Sequence, residues 1–152
     1  MDFYRIEISR LAPDDIDAVM VVENLSFSIP WSKQAFIEEV ANNKFARYII
    51  AKVNGETVGY AGMWKVCEEG HITNVAVHPE FRRSGVGYML VKSLIDMAKE
   101  EAIERMTLEV RRSNIAAQNL YAKFGFKIEG YRKAYYADNK EDAIIMWKED
   151  IM

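Results

Sequence analysis

The stretch from Ile72 to Ala102 constrains the fold more than any other part of the chain. It runs ITNVAV, then HPEFRRSGVG, then YMLVKSLIDMAKEEA. ITNVAV reads as a short, mostly apolar strand that His78-Pro79 ends. The helix after the turn carries Val86, Leu90, Leu94 and Met97 along one apolar stripe. Two arginines and two glycines therefore stand where a strand becomes a helix. Backbone N–H groups and the positive end of a helix dipole receive an anion at such a place. The spacing excludes two common phosphate readers. A dinucleotide GxGxxG fails because Leu90 stands where the third glycine belongs, and a P-loop fails because Val91 precedes Lys92-Ser93.

The rest of the chain supplies the partners of that unit. FYRIEIS alternates like a half-buried strand, and Pro13-Asp14-Asp15 opens a helix with Ile16, Val19, Met20 and Glu23 at helical spacing. After the loop SFSIPW, Ser32 is placed to cap a second helix, KQAFIEEVANN. ARYIIAKV and ETVGYAGMWKV flank Asn54-Gly55, a strong hairpin signal. MTLEV is a further strand, Asn114 caps a helix over IAAQNLYAKF, and Gly125 ends it. FKIEGYRKAYY and EDAIIMWKED make a last strand pair. The order β-α-α-β-β-β-α-β-α-β-β predicts an α/β (α+β) fold. It implies one mixed, twisted sheet of about seven strands with helices on both faces, and a single domain over residues 1–152.

Composition removes several function classes. A net charge of -3 argues against direct nucleic-acid binding, which favours a basic excess. The one cysteine, Cys67, allows no internal disulfide and fits a reducing, cytoplasmic setting; as a residue it reads as a small apolar member of its strand. His71 and His78 lack companions at ligand spacing, so no metal site is expected. MDFYRIEISRL has no signal-peptide pattern and no apolar run is long enough to span a bilayer, so no membrane association is expected.

With Arg82-x-x-Gly85-x-Gly87 following the fourth strand, the chain resembles the GNAT superfamily of acyl-coenzyme-A-dependent N-acyltransferases. The resemblance implies that the turn's backbone N–H groups hold the coenzyme A pyrophosphate. Arg82, Gly85 and Gly87 match the family pattern, while Ser84 departs from its usual second basic residue. The implied acetyl-coenzyme A contacts are Val75, Ala76 and Val77 on the strand, with Arg82, Arg83, Ser84, Gly85, Val86, Gly87 and Tyr88 around the turn. Asn114, first a helix cap, adds another. Val77 N–H is the expected donor to the thioester carbonyl, whose oxygen gains charge in the transition state.

Pro30-Trp31-Ser32, VAVHPEFRRSGVG, LEVRRSNIAAQNLYAKFGF and YYADNKEDAIIM narrow the resemblance to the RimI group. Its members acetylate the N-terminal alanine of small-subunit ribosomal protein eighteen. The resemblance makes Glu109 the base and Tyr121 the acid, and implies a ribosomal-protein N-terminus as acceptor. By residue pattern alone Glu109 also reads as a solvent-facing strand residue and Tyr121 as a core aromatic. Trp31, Tyr135 and Tyr136 are expected to flank a peptide groove, with Asp138, Glu141 and Asp142 in the same hairpin, which otherwise reads as a solvated tip. Two rival functions stay open: acetylation of lysine or small amines, and acyl-coenzyme A sensing without turnover.

Overall fold

The computed structural model describes residues 5–151, so the Phe3-Tyr4 start of the predicted first strand lies outside the described residues. In chain order the elements are β1 (Ile6–Arg10), a 3-10 turn (Pro13–Asp15), α1 (Ile16–Ser26), α2 (Lys33–Asn42), β2 (Ala46–Val53), β3 (Glu56–Val66) and β4 (Glu69–Val77). A second 3-10 turn (Pro79–Phe81), α3 (Val86–Glu100), β5 (Arg105–Arg111), α4 (Ile115–Lys123), β6 (Lys127–Arg132) and β7 (Ala143–Lys148) follow.

Local chemistry explains most of the boundaries. Asn54 and Gly55 take φ of 52° and 81°, the left-handed pair that a two-residue hairpin between twisted strands requires. Ser32 Oγ accepts from Ala35 N–H at 3.1 Å and Asn114 Oδ1 accepts from Ala117 N–H at 3.1 Å, so both predicted caps form. Gly125 follows α4 at φ 92°. Pro13-Asp14-Asp15 forms a 3-10 turn ahead of α1 rather than its first turn, and Asp15 Oδ2 accepts from Ala12 N–H at 2.8 Å. β4 begins at Glu69, earlier than predicted, because Glu69 and Gly70 pair on both sides. β6 ends at Arg132, opposite the first residue of β7, and Lys133 to Asp142 form a loop. On α3, Met97 is only half-buried, and Val91, Ile95 and Ala98 complete the buried face.

The seven strands form one sheet in the order β1-β2-β3-β4-β5-β7-β6. Every pairing is antiparallel except β4 with β5. α3 and α4 cover one face over the larger core, which includes Met63, Leu90, Leu94, Met106 and Leu108. α1 and α2 cover the other, where Val19, Val22, Phe36, Tyr48, Ile50 and Tyr60 pack. Phe36 is the hub of this second core, with Trp31, Tyr48 and Tyr60 rings at 5.8, 5.5 and 5.3 Å. Burying such a side chain stabilises by about 1.5–3 kcal/mol. No helix among the described residues is long and apolar enough to cross a membrane.

One defect in this sheet matters most. The β4–β5 ladder stops at Ile72 opposite Leu108, yet β4 continues to Val77 and β5 to Arg111. A β-bulge marks the same place: Met63 pairs with Ile72 and Gly62 with Asn74, leaving Thr73 as an extra residue. The two strands splay apart, and a slit opens through the sheet.

Candidate active site

The slit widens into a cleft of about 700 Å³, lined by Ile72 to Val77 on one arm and Leu108 to Arg111 on the other. The exposed edge of β4 has a readable polarity. His78 N–H donates to Val58 carbonyl at 2.7 Å, toward β3. Antiparallel alternation then turns Ala76 toward β3 as well, and Val75 and Val77 N–H toward the cleft. Among the described residues no strand meets them there. Val75, Ala76 and Val77, all predicted cofactor residues, line the cleft. Arg82 Nε lies 3.4 Å from Val77 carbonyl, so the arginine leans back on the strand it follows.

The α3 turn offers an anion site beside this edge. Gly85 caps the helix at φ 90° with no side-chain cap, so Val86, Gly87 and Tyr88 N–H keep no partner within the helix. Arg82, Arg83 and Gly87 line the cleft. The side chains of Ser84, Val86 and Tyr88 do not. Ser84 hydroxyl donates to Phe81 carbonyl within its own turn, Val86 sits in the core, and the Tyr88 ring stacks on Phe124 at 4.8 Å. These three positions, like Gly85, present backbone alone. Asn114 lines the cleft while capping α4.

Glu109 alternates away from buried Leu108 and Val110, to the α1/α2 face, and lines the cleft. Its carboxylate is not free. Oε2 accepts from His71 Nε2 at 2.6 Å, and Oε1 accepts from Arg132 Nε at 3.2 Å. The hydrogen bond from His71, ahead of the charge of Arg132, holds its pKa below the usual carboxylate value despite partial burial. Glu109 is therefore ionised at neutral pH, with one lone pair left on each oxygen.

Tyr121 enters from α4 on the opposite face. It is 8% exposed, lines the cleft and meets Phe126 edge-on at 5.9 Å, so it is both a core aromatic and a cleft residue. Its hydroxyl has no hydrogen-bond partner among the described residues. Burial, helped by Tyr136, pushes its pKa up, so the hydroxyl keeps its proton.

The acceptor side differs from expectation. Trp31 is turned away from the cleft, because buried Glu23 accepts Trp31 N–H at 2.9 Å and Tyr60 hydroxyl at 2.5 Å, drawing the loop into the second core. Its ring packs on Phe36 and borders a separate surface hollow with Glu38 and Glu39. Ser26 and Phe27 line the cleft in its place. Tyr135 is half-exposed beneath Arg132, outside the cleft. Tyr136 does line it, with the Arg111 guanidinium 4.0 Å over its ring, and burial pushes its hydroxyl up to about 12. His71 escaped the sequence reading because the parallel register of β4 on β5 cannot be read from spacing, and Arg132 because it reaches Glu109 only through the order β5-β7-β6. The one available signal was a histidine on the strand face shared with Glu109. Among the described residues no cluster of His, Cys, Asp or Glu could hold a metal ion.

Residues 16–126 match the family described as acetyltransferase (GNAT) family. A Bacillus subtilis protein provisionally named ribosomal protein bS18-alanine N-acetyltransferase is 45% identical over 140 residues, covering 92% of this chain and 93% of that protein. The crystal structure of the ribosomal-protein-S18-alanine N-acetyltransferase from Escherichia coli superposes with a TM-score of 0.89 at 33% identity, covering 97% of this chain and 96% of that one. PaiA N-acetyltransferase from Thermoplasma acidophilum, crystallised with coenzyme A, shares the fold at a TM-score of 0.75 and 19% identity, with 95% and 99% covered.

Proposed function

The chain belongs to the acetyltransferase (GNAT) family, and from that membership we propose that it moves acetyl from acetyl-coenzyme A directly to the N-terminal alanine amine of the small-subunit ribosomal protein bS18. The observation that carries this reading is that Glu109 and Tyr121 line one cleft from opposite faces of a split sheet. In this reading Val75 and Val77 N–H hold the cofactor arm, Val77 N–H donates to the thioester carbonyl, and the α3 amides with Arg82 and Arg83 receive the pyrophosphate. The fit rests on unpaired β4 amides beside an uncapped helix end.

Glu109 attracts the acceptor ammonium and takes its proton through water, while His71, donating to it at 2.6 Å, holds the carboxylate in place. Its depressed pKa makes it a weak base, which bears on the acceptor. At pH 7, deprotonating an α-amino group costs about 1–1.4 kcal/mol and a lysine about 4.6. A weak base suits the first. Tyr121 donates its hydrogen bond to the leaving sulfur; burial raises the proton affinity of a thiolate in the same pocket, so its own raised pKa is no bar. The relative of 45% identity and its printed name support the alanine acceptor.

The deciding experiment incubates a basic peptide beginning with alanine with enzyme and acetyl-coenzyme A, followed by mass spectrometry. One acetyl group on the free N-terminus is expected, and none on the same peptide with a blocked N-terminus and free lysines. Efficient acetylation of the blocked peptide would replace this reading with a lysine acceptor, and cofactor binding without thiol release would make the protein a sensor.

A further inference from the structure

Two loops that reach the cleft from opposite walls are joined above it. One follows α1 and carries Phe27 and Ser28; the other links β6 to β7 and carries Tyr136 and Asp138. Among the described residues a single hydrogen bond connects them: Ser28 Oγ donates to Asp138 Oδ2 at 2.6 Å, across 110 positions of sequence.

The two ends of this bond are mounted differently. Asp138 is a fixed post, since Arg111 grips both its oxygens, at 3.1 and 2.9 Å. Arg111 in turn stacks on Tyr136 and reaches Glu141, which accepts from Ser113 N–H at 2.6 Å. The post therefore stands on β5, two residues beyond Glu109. Ser28 sits in an exposed loop held at both ends by Glu23: Phe27 N–H donates to its carbonyl at 3.1 Å and Trp31 N–H to its carboxylate at 2.9 Å, with Ile29 and Pro30 in the interval. Its bond to Asp138 is what ties this span, beside Phe27, to the loop that carries Tyr136.

We propose that Ser28 and Asp138 form a latch that fixes the width of the acceptor end of the cleft, so that a first residue as small as alanine is preferred. This inference rests on the N-terminal acceptor of the proposed function and deepens it. The latch sets how far Phe27 stands from Tyr136, and the Arg111 mount indexes that gap to the strand that holds the base. A larger first side chain must displace Phe27 and break a charge-assisted bond. Since Ser28 is exposed and lies outside both cores, breaking the bond should widen the aperture without loosening the fold.

The test compares wild type, Ser28→Ala and Ser28→Thr on two peptides that differ only in their first residue, alanine or leucine. Expected is a preference for alanine in wild type that falls roughly fivefold or more in Ser28→Ala, a change of the size that a few methylenes command in a pocket. The change should lie mainly in KM for peptide, with coenzyme A affinity and melting temperature unmoved, and Ser28→Thr should retain the preference. An unchanged preference in Ser28→Ala overturns the latch while leaving the proposed function intact. A loss of peptide activity, coenzyme A affinity and melting temperature together overturns it too, by making the bond purely structural. If wild type acetylates neither peptide, the proposed function fails and the latch with it.

Discussion

Replacing Glu109 with glutamine separates the proton chemistry from the binding. The amide keeps the size and one acceptor oxygen of the carboxylate but removes its charge, leaving Arg132 without its counter-ion and His71 without its anionic acceptor. A positioned base contributes about 10²–10⁴-fold, and a carboxylate held below its ordinary pKa belongs at the lower end, so the expected loss at pH 7 is about 10²-fold. Part of that loss comes from the acceptor's own proton. An α-amino group is only about 10–17% neutral at pH 7 but more than about 90% neutral at pH 9, a change of roughly five- to tenfold. The defect should shrink by that factor as pH rises. Folding does not confound the comparison. Glu109 has a lower pKa folded than unfolded, so its pairing stabilises above the unfolded value and is lost only as pH falls through the folded one. That window is acidic, well below the assay range. The assay is thiol release with an alanine-initiated peptide, measured as kcat/KM between about pH 6.5 and 9, with coenzyme A affinity measured separately. A defect of the same size at every pH would remove Glu109 from the base role.

Tyr121→Phe deletes a hydroxyl that has no partner among the described residues, so melting temperature should stay near wild type while turnover falls about 10²-fold; near-normal turnover would return Tyr121 to a packing role alone. Gly87→Ala adds a methyl that meets Leu120 at 3.4 Å and Val77 at 3.8 Å, contacts the fold accepts, but narrows the approach to the α3 amides. Calorimetry should show coenzyme A binding weakened by about 1 kcal/mol or more, and an unchanged affinity would place the pyrophosphate elsewhere. His71→Gln removes the main cause of the depressed Glu109 pKa, so the carboxyl should titrate higher by NMR, and an unmoved titration would discredit the His71 contact.

Where sequence and structure agree, the signal was local. β2 and β3 end where predicted because Asn54-Gly55 leaves the chain one cheap way to reverse, and both caps form because Ser32 and Asn114 reach amides three residues on. The face of Glu109 followed from period two alone. What stayed hidden was set by contacts between distant segments. The His71–Glu109 pairing needs the parallel register of β4 and β5, which no turn connects. Trp31 turns inward because of Glu23, a carboxylate at a core position of α1 whose helical spacing was visible but whose partners, Tyr60 and the Trp31 amide, were not. Glu23 was thus a charge in an apolar stripe, and such a residue asks for a donor somewhere.

On the roles proposed above, the split in the sheet accounts for transfer without an acylated residue. Tyr121 and the α3 amides approach from the face covered by α3 and α4, whereas Glu109, His71 and Phe27 belong to the face covered by α1 and α2. An intact ladder between β4 and β5 would wall these groups off from one another, and an acyl group crossing it would need a carrier side chain. Beyond Ile72 and Leu108 the wall is missing. In the proposed reaction donor and acceptor meet through the slit, and the same gap frees Val75 and Val77 N–H for the donor. Cys67, expected as a small apolar member of its strand, is instead exposed in the turn between β3 and β4, at the far end of β4 from this gap. One interruption of hydrogen bonding thus supplies the free amides, the passage and the placement of Glu109 opposite Tyr121.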